Sequence, residues 1–234
     1  MFAKPPCRER VKTRLASSIG PDAALWVYQE MLRLLFDRLV QLPDRIHVQV
    51  WTSEVENEGA LETLVDGRFT MERQIGSGLG ERLDDAFRRS FGRSRESVAV
   101  IGSDSPDLPL DFVLQAEDAL VCSPMTIGPT EDGGYYLVGF AQHVPGVFRD
   151  VPWSSGNEYR ATLDRADELG VSSYRLPIWK DIDDLDDLRS FIERNLASSA
   201  EPGLHQFARR LSEDLAFCLD TATSRDRNGS REVE

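Results

Sequence analysis

The 234-residue sequence is poor in the residues that build disulfide frameworks and transition-metal sites, with three cysteines and three histidines. Cys7, Cys122 and Cys218 lie far apart and show no paired spacing, which argues against a thiolate zinc module and fits reduced thiols in a cytoplasmic protein. His47, His143 and His205 are equally scattered, which argues against a His-based zinc site or a Ser-His-Asp triad. No apolar run is long enough to span a membrane, and the N-terminus carries no secretory signal. Basic charge is also in deficit: 27 Lys and Arg face 40 Asp and Glu, for a formal net charge of −13. Without a basic face the chain is a poor partner for nucleic acid, although a local cluster of Lys and Arg can still hold a small phosphorylated ligand.

What is present suits one large α/β domain. Hydrophobic residues make up 41% of the chain, enough for a sizeable core. Helical spacing over residues 21–42 gives way to alternation at 46–51, a short helical stretch at 54–65 and a strand at 68–73. A glycine-rich segment and an amphipathic helix follow, then a strand at 98–101 and a helix at 111–120. Two strands at 125–128 and 135–140, a helix ending near Leu169, a strand at 171–176 and a helix to Leu196 complete the series. This order predicts a mostly parallel sheet with helices on both faces. Residues 198–203 read as a linker, 204–219 as one more helix and 221–234 as a disordered tail. The expected division is therefore a domain over 1–197 and an appendage over 198–234.

The chain is organised around residues 98–108, VAVIGSDSPDL. Four apolar residues predict a strand buried on both faces of a parallel sheet, and Gly102 permits a sharp turn after it. Asp104 and Asp107 then stand at the carboxyl end of a central strand, the edge where open α/β sheets bind ligands. Asp107 suits an N-cap for a helix starting near Leu108, and Asp104 suits a cation ligand; capping alone is the alternative for both.

Five further stretches carry possible chemistry or capping. Lys4, Arg8, Arg10, Lys12 and Arg14 form a basic cluster that either wraps phosphates or is a solvated N-terminus, and composition leaves both open. Gly76, Gly78 and Gly80 could admit a nucleotide close to the backbone, but the segment matches neither the dinucleotide fingerprint nor a P-loop. Asp132-Gly133-Gly134 suits close approach of a sugar, yet standing alone it is better explained as an Asp-Gly hairpin turn. Ser154 or Ser155 suits an N-cap for the next helix. In KDIDDLDDL, most acids serve the dipole of the helix they open, and Asp183, ahead of it, is the candidate for chemistry.

Taken in order, FAKPP…VKTRLA, LGERL, GSDSPDLP, GPTEDGGYYLVG, PWSS and DIDDLDDL resemble a bacterial family of glycosyltransferase-A-fold proteins, the glycosyltransferases and selenium-domain-associated transferases. That family is more distantly similar to the guanylyltransferases of molybdenum cofactor and 2-phospholactate. The resemblance covers residues 2–192. It implies a nucleotide-diphospho-sugar transferase-like fold and a Mg²⁺- or Mn²⁺-dependent transferase acting on a nucleotide-activated donor and a small-molecule acceptor. By that likeness Lys4, Lys12 and Arg14 face the phosphates, and Gln74, Gly80 and Arg82 lie near the nucleotide. Asp104 ligates the cation and Asp183 completes the metal site, while Asp132, Gly133, Gly134 and Tyr135 line the acceptor side, with Asp104 and Asp132 as the catalytic pair. Nucleotidyl transfer is the alternative to glycosyl transfer, and a non-catalytic binding protein of the same fold is the second alternative. The chain departs from the pattern at Glu9, where the family has Gly, and at Met1-Phe2, where the family has a full apolar strand; either the start is misassigned or the first, central strand is truncated.

Overall fold

A computed structural model describes residues 1–53, 58–93, 95–198 and 200–216. Cys218 and the tail expected to be disordered lie outside these residues. The elements run β1 (Phe2–Ala3), α1 (Thr13–Ile19), α2 (Pro21–Leu39), β2 (Gln49–Thr52), α3 (Glu58–Val65), β3 (Thr70–Arg73), α4 (Leu79–Phe91), β4 (Val98–Ile101), α5 (Leu110–Leu120), β5 (Met125–Pro129), β6 (Tyr135–Phe140), α6 (Glu158–Glu168), β7 (Ser173–Arg175), α7 (Leu185–Leu196) and α8 (Pro202–Asp214). No described helix is long and apolar enough to cross a membrane. The chain groups into two compact units, one of Met1–Pro5 with Leu35–Asp181, the other of Pro6–Leu34 with Ile182 onwards. The division falls inside α2.

The first unit holds every described strand. β1, β2 and β3 form a parallel three-stranded sheet, with Phe2 opposite Trp51 and Trp51 opposite Glu72. A second sheet has the order β4-β6-β5-β7. The expected α/β architecture with parallel strand pairing is present. One local expectation fails, however: β4 pairs with β6 alone, antiparallel, and is an edge of its four-stranded sheet rather than a central strand. Val98 is half-buried and Ala99 exposed, while Val100 and Ile101 are buried. A four-residue apolar run cannot distinguish these cases, because the antiparallel partner arrives some 40 residues later through the β5–β6 hairpin. Phe87, Phe140 and Phe148 centre the core, with ring centroids 4.9 to 5.9 Å apart. Their burial positions α4 on the strands that carry the site.

The second unit is helical throughout its described residues. Leu15, Ile19, Val27 and Met31 from α1 and α2 share one apolar cluster with Leu188 and Phe191 of α7 and Phe207 and Leu211 of α8. Phe191 and Phe207 pack at 5.6 Å. Helix α8, expected as an appendage, thus belongs to the same core as α7. The acids before α7 behave as the helix dipole suggests: Asp184 accepts from the backbone of Asp186 and Asp187, and Asp187 returns the bond in a capping box.

Candidate functional site

Within the first unit, a cleft opens at the carboxyl end of β4. Gly102, Asp104, Ser105, Leu108, Thr130 and Asp181 are among its walls. Asp104 is half-buried there. A Cβ on Gly102 would meet nothing within 4 Å, so glycine at this point keeps the mouth of the cleft clear rather than relieving a clash.

Asp107 does not cap the helix. Helix α5 starts at Leu110 with Pro109 at its N-cap and no side-chain cap. Pro109 biases Leu108 away from the helical region and itself stands at ψ 125°, so the first helical turn begins beyond the reach of Asp107. Asp107 is instead 5% exposed and accepts from Trp179 Nε1 at 3.4 Å. Arg38, also buried, donates to the Pro106 carbonyl at 2.8 Å. The loop is therefore fixed from beneath while Asp104 stays at the cleft.

The DGG motif is the β5–β6 hairpin turn that its composition suggested. Asp132 Oδ1 accepts from Thr130 Oγ1 at 2.5 Å and from the Gly134 amide at 3.0 Å. Gly133 has φ 90°, and a Cβ there would lie 1.9 Å from the Gly156 carbonyl oxygen. Gly128 is equally obligatory, since its Cβ would fall 2.2 Å from the Tyr136 ring. These glycines are explained by packing. The Tyr136 phenol donates to the Pro177 carbonyl at 2.9 Å, and burial raises its pKa well above the usual phenol range. The Tyr135 ring turns into the core against Trp153, and its buried hydroxyl is likewise raised by desolvation.

Sequence reasoning missed Asp181. The segment after β7 runs on alongside β5: the Trp179 amide donates to the Pro129 carbonyl at 3.0 Å, and Trp179 pairs with Thr130. Lys180 reaches Glu131 at 3.0 Å. These contacts deliver Asp181 to the cleft, with carboxylate oxygens of Asp132 and Asp181 within 4.8 Å of each other. The signal was in the acidic run, but no spacing rule separates Asp181 from the acids that follow it.

The structure does not place all the expected site residues in this cleft. Gln74 Nε2 donates to the Trp51 carbonyl at 2.8 Å, and Arg82 Nε donates to the Gly76 carbonyl at 3.1 Å. Gly80 is needed for packing, since a Cβ would stand 2.9 Å from the Phe148 carbonyl oxygen. Lys4 is exposed beyond β1. In the second unit, Lys12 and Arg14 flank Asp183: Lys12 Nζ lies 3.2 Å and an Arg14 guanidinium nitrogen 3.8 Å from its carboxylate, with the Lys12 side chain only 3% exposed. Glu9 and Lys12 both adopt left-handed backbone, at φ 68° and 47°. Neither Ser154 nor Ser155 is the N-cap of α6; Asn157 holds that position, and Ser155 Oγ accepts from the Asn157 amide.

The chain belongs to the DUF2064 family, described as uncharacterized proteins conserved in bacteria; residues 37–155 match it. Among solved structures, the fold is similar to a protein of Desulfovibrio desulfuricans G20 provisionally named a nucleotide-diphospho-sugar transferase. The two are 28% identical with a TM-score of 0.83, over 91% of this chain and 93% of that one. It is also similar to a cytidylyltransferase of Leptospira borgpetersenii serovar Hardjo-bovis, at 13% identity and a TM-score of 0.56, over 93% and 94% of the two chains. A CMP:2-keto-3-deoxy-manno-octonic acid synthetase complexed with CTP shares 13% identity and a TM-score of 0.51, over 83% and 97%. No curated protein matches the chain. The expected glycosyltransferase-A resemblance thus holds at the level of the fold.

Proposed function

We propose that the chain is a divalent-metal-dependent transferase that uses a nucleotide-activated donor, most simply a glycosyltransferase with a nucleotide-sugar. The observation that carries this reading is the acidic cleft of Asp104, Asp132 and Asp181, set on a fold shared with the Desulfovibrio protein at a TM-score of 0.83. The donor set suits a hard cation. Asp104 and Asp181 both line the cleft and offer carboxylate oxygens, the ligands that a cation with bonds of about 2.0–2.6 Å takes. Asp104 and Asp181 would hold it, with Asp183 as the further ligand that the family resemblance implies, directly or through water. When bound, the cation supplies neutralisation of the diphosphate so that it can leave.

The chain's own residues supply the rest. Lys12 is a largely desolvated ammonium already oriented by Asp183, and with Lys4 and Arg14 it would bind the phosphates. Gln74 and Arg82, tied to backbone carbonyls, would shape the loop beside the nucleotide. Asp132 keeps Oδ1 occupied by Thr130 and Gly134, which orients Oδ2 to take the proton of an attacking acceptor hydroxyl. Gly133, Gly134 and Tyr135 would border that acceptor. Catalysis would rest on positioning and charge stabilisation.

The basic loop favours a second reading, nucleotidyl transfer from a triphosphate. A third, binding without catalysis, draws on Glu9, whose negative charge stands in that loop. A thermal-shift screen with and without Mn²⁺ separates them, because a ligand bound only by the folded state raises the midpoint. A metal-dependent shift with nucleotide-sugars is expected. A shift with triphosphates alone transfers the assignment to nucleotidyl transfer, and no shift with either removes the enzyme reading.

A further inference from the structure

The first unit contains a second, larger opening, a groove of about 490 Å³, inside the range of about 300–1,000 Å³ typical of small-molecule sites. One wall is the start of α4, with Ser77, Glu81 and Asp84; the other is the loop after β6, with Phe148, Arg149 and Trp153. The loop wall is preformed. Phe148 is anchored against Phe87 and Phe140, and Trp153 stands edge-on to Tyr135 at 6.3 Å and beside Phe148 at 6.4 Å. Arg165 holds the Gly146 carbonyl at 3.1 Å. Gly80 allows α4 to abut the indole directly, as its Cβ would lie 3.0 Å from Trp153 Nε1.

The charges of the groove define what it can take. Glu81 already accepts from the Ser77 amide and hydroxyl at 2.8 and 2.7 Å, and Asp84 lies 3.1 Å from His143 Nε2. With Asp150 at the rim, carboxylates outnumber the single guanidinium of Arg149. A phosphate or carboxylate ligand would be repelled. Carboxylates with spare lone pairs, a guanidinium at the rim and an indole wall instead match a molecule that offers many hydroxyl donors and acceptors around a C–H face. We propose that this groove binds an uncharged sugar. Tyr135 connects it to the acidic cleft, because the same residue borders the cleft and contacts Trp153. Resting on the transferase reading above, the groove is the site of the acceptor.

Ligand-detected NMR in EDTA, without nucleotide, tests the sugar site separately from the metal and donor sites. The probes are glucose, galactose, mannose and ribose, with glucosamine as the cationic comparison. Saturation transfer to at least one neutral sugar is expected, with affinity falling about tenfold in Trp153→Leu, equivalent to about 1.4 kcal/mol. Arg149→Ala alters only an exposed side chain, and should weaken binding at an unchanged melting temperature; it decides the matter if Trp153→Leu fails to fold. No transfer to any neutral sugar, transfer to glucosamine alone, or transfer that Arg149→Ala and a folded Trp153→Leu both leave intact overturns the proposal. Such a failure leaves Mn²⁺-dependent nucleotide binding, measured apart, to stand or fall alone.

Discussion

Glu9 and Gly133 both hold left-handed backbone, one against its chemistry and the other in keeping with it. Glu9 sits at φ 68°, where a side chain costs roughly 1–2 kcal/mol that glycine avoids. Glu9→Gly should therefore hold or raise the melting temperature. In the phosphate-loop reading it should also tighten nucleotide binding modestly, since an exposed charge is screened. Calorimetry showing unchanged or weaker affinity would move Glu9 away from the phosphates. Gly133 is the converse. With a Cβ forced to 1.9 Å from the Gly156 carbonyl, Gly133→Ala should destabilise the protein by about 3 kcal/mol or more, read in urea midpoints. Asp107→Ala leaves the Trp179 indole without its carboxylate acceptor and should cost about 1–3 kcal/mol. A substitution there that proves neutral would show that the loop is not held from beneath.

Helix α4 opens with an acid that returns to the preceding turn. Hydrogen bonds from the Ser77 amide and hydroxyl, in that order, lower the Glu81 pKa below the ordinary glutamate value. A depressed folded-state pKa adds stability above the unfolded-state value, and that stability is lost as pH falls through the folded-state value. Glu81→Gln should therefore flatten the acid limb of stability against pH while changing little in strong acid. An acid limb identical to wild type would show that the bond is not formed in solution. For α7, the capping box makes Asp184→Ala cost about 1 kcal/mol. Reading elements from the sequence succeeded where period and punctuation agreed, as with α2 and the β5–β6 hairpin at Asp132-Gly133. It failed where tertiary pairing decides. The apolar run of β4 says nothing of an antiparallel partner, and Pro109 displaces the start of α5 from the acid that composition offered as its cap.

At the scale of the whole molecule, order along the chain made the α/β fold legible, because alternating strand and helix leave few architectures. The site was legible only in part. Asp104 could be placed from one strand and one turn. Asp181 could not, because it reaches the cleft through Trp179 pairing with Thr130, a contact about fifty residues long in sequence that no local pattern encodes. The glycines carry two meanings that sequence does not separate: a Cβ on Gly80 would meet the Phe148 backbone in the fold, and Gly133 fills the hairpin turn that its composition favours. The account therefore depends most on one carboxylate. Mn²⁺ should be titrated into the wild-type protein and into Asp104→Asn in the presence of a nucleotide-sugar. Asp104→Asn should keep the melting temperature, since a half-buried carboxylate on a cleft wall adds little to core packing, yet lose metal-dependent nucleotide binding. Wild-type Mn²⁺ affinity retained in a folded Asp104→Asn protein would contradict the assignment.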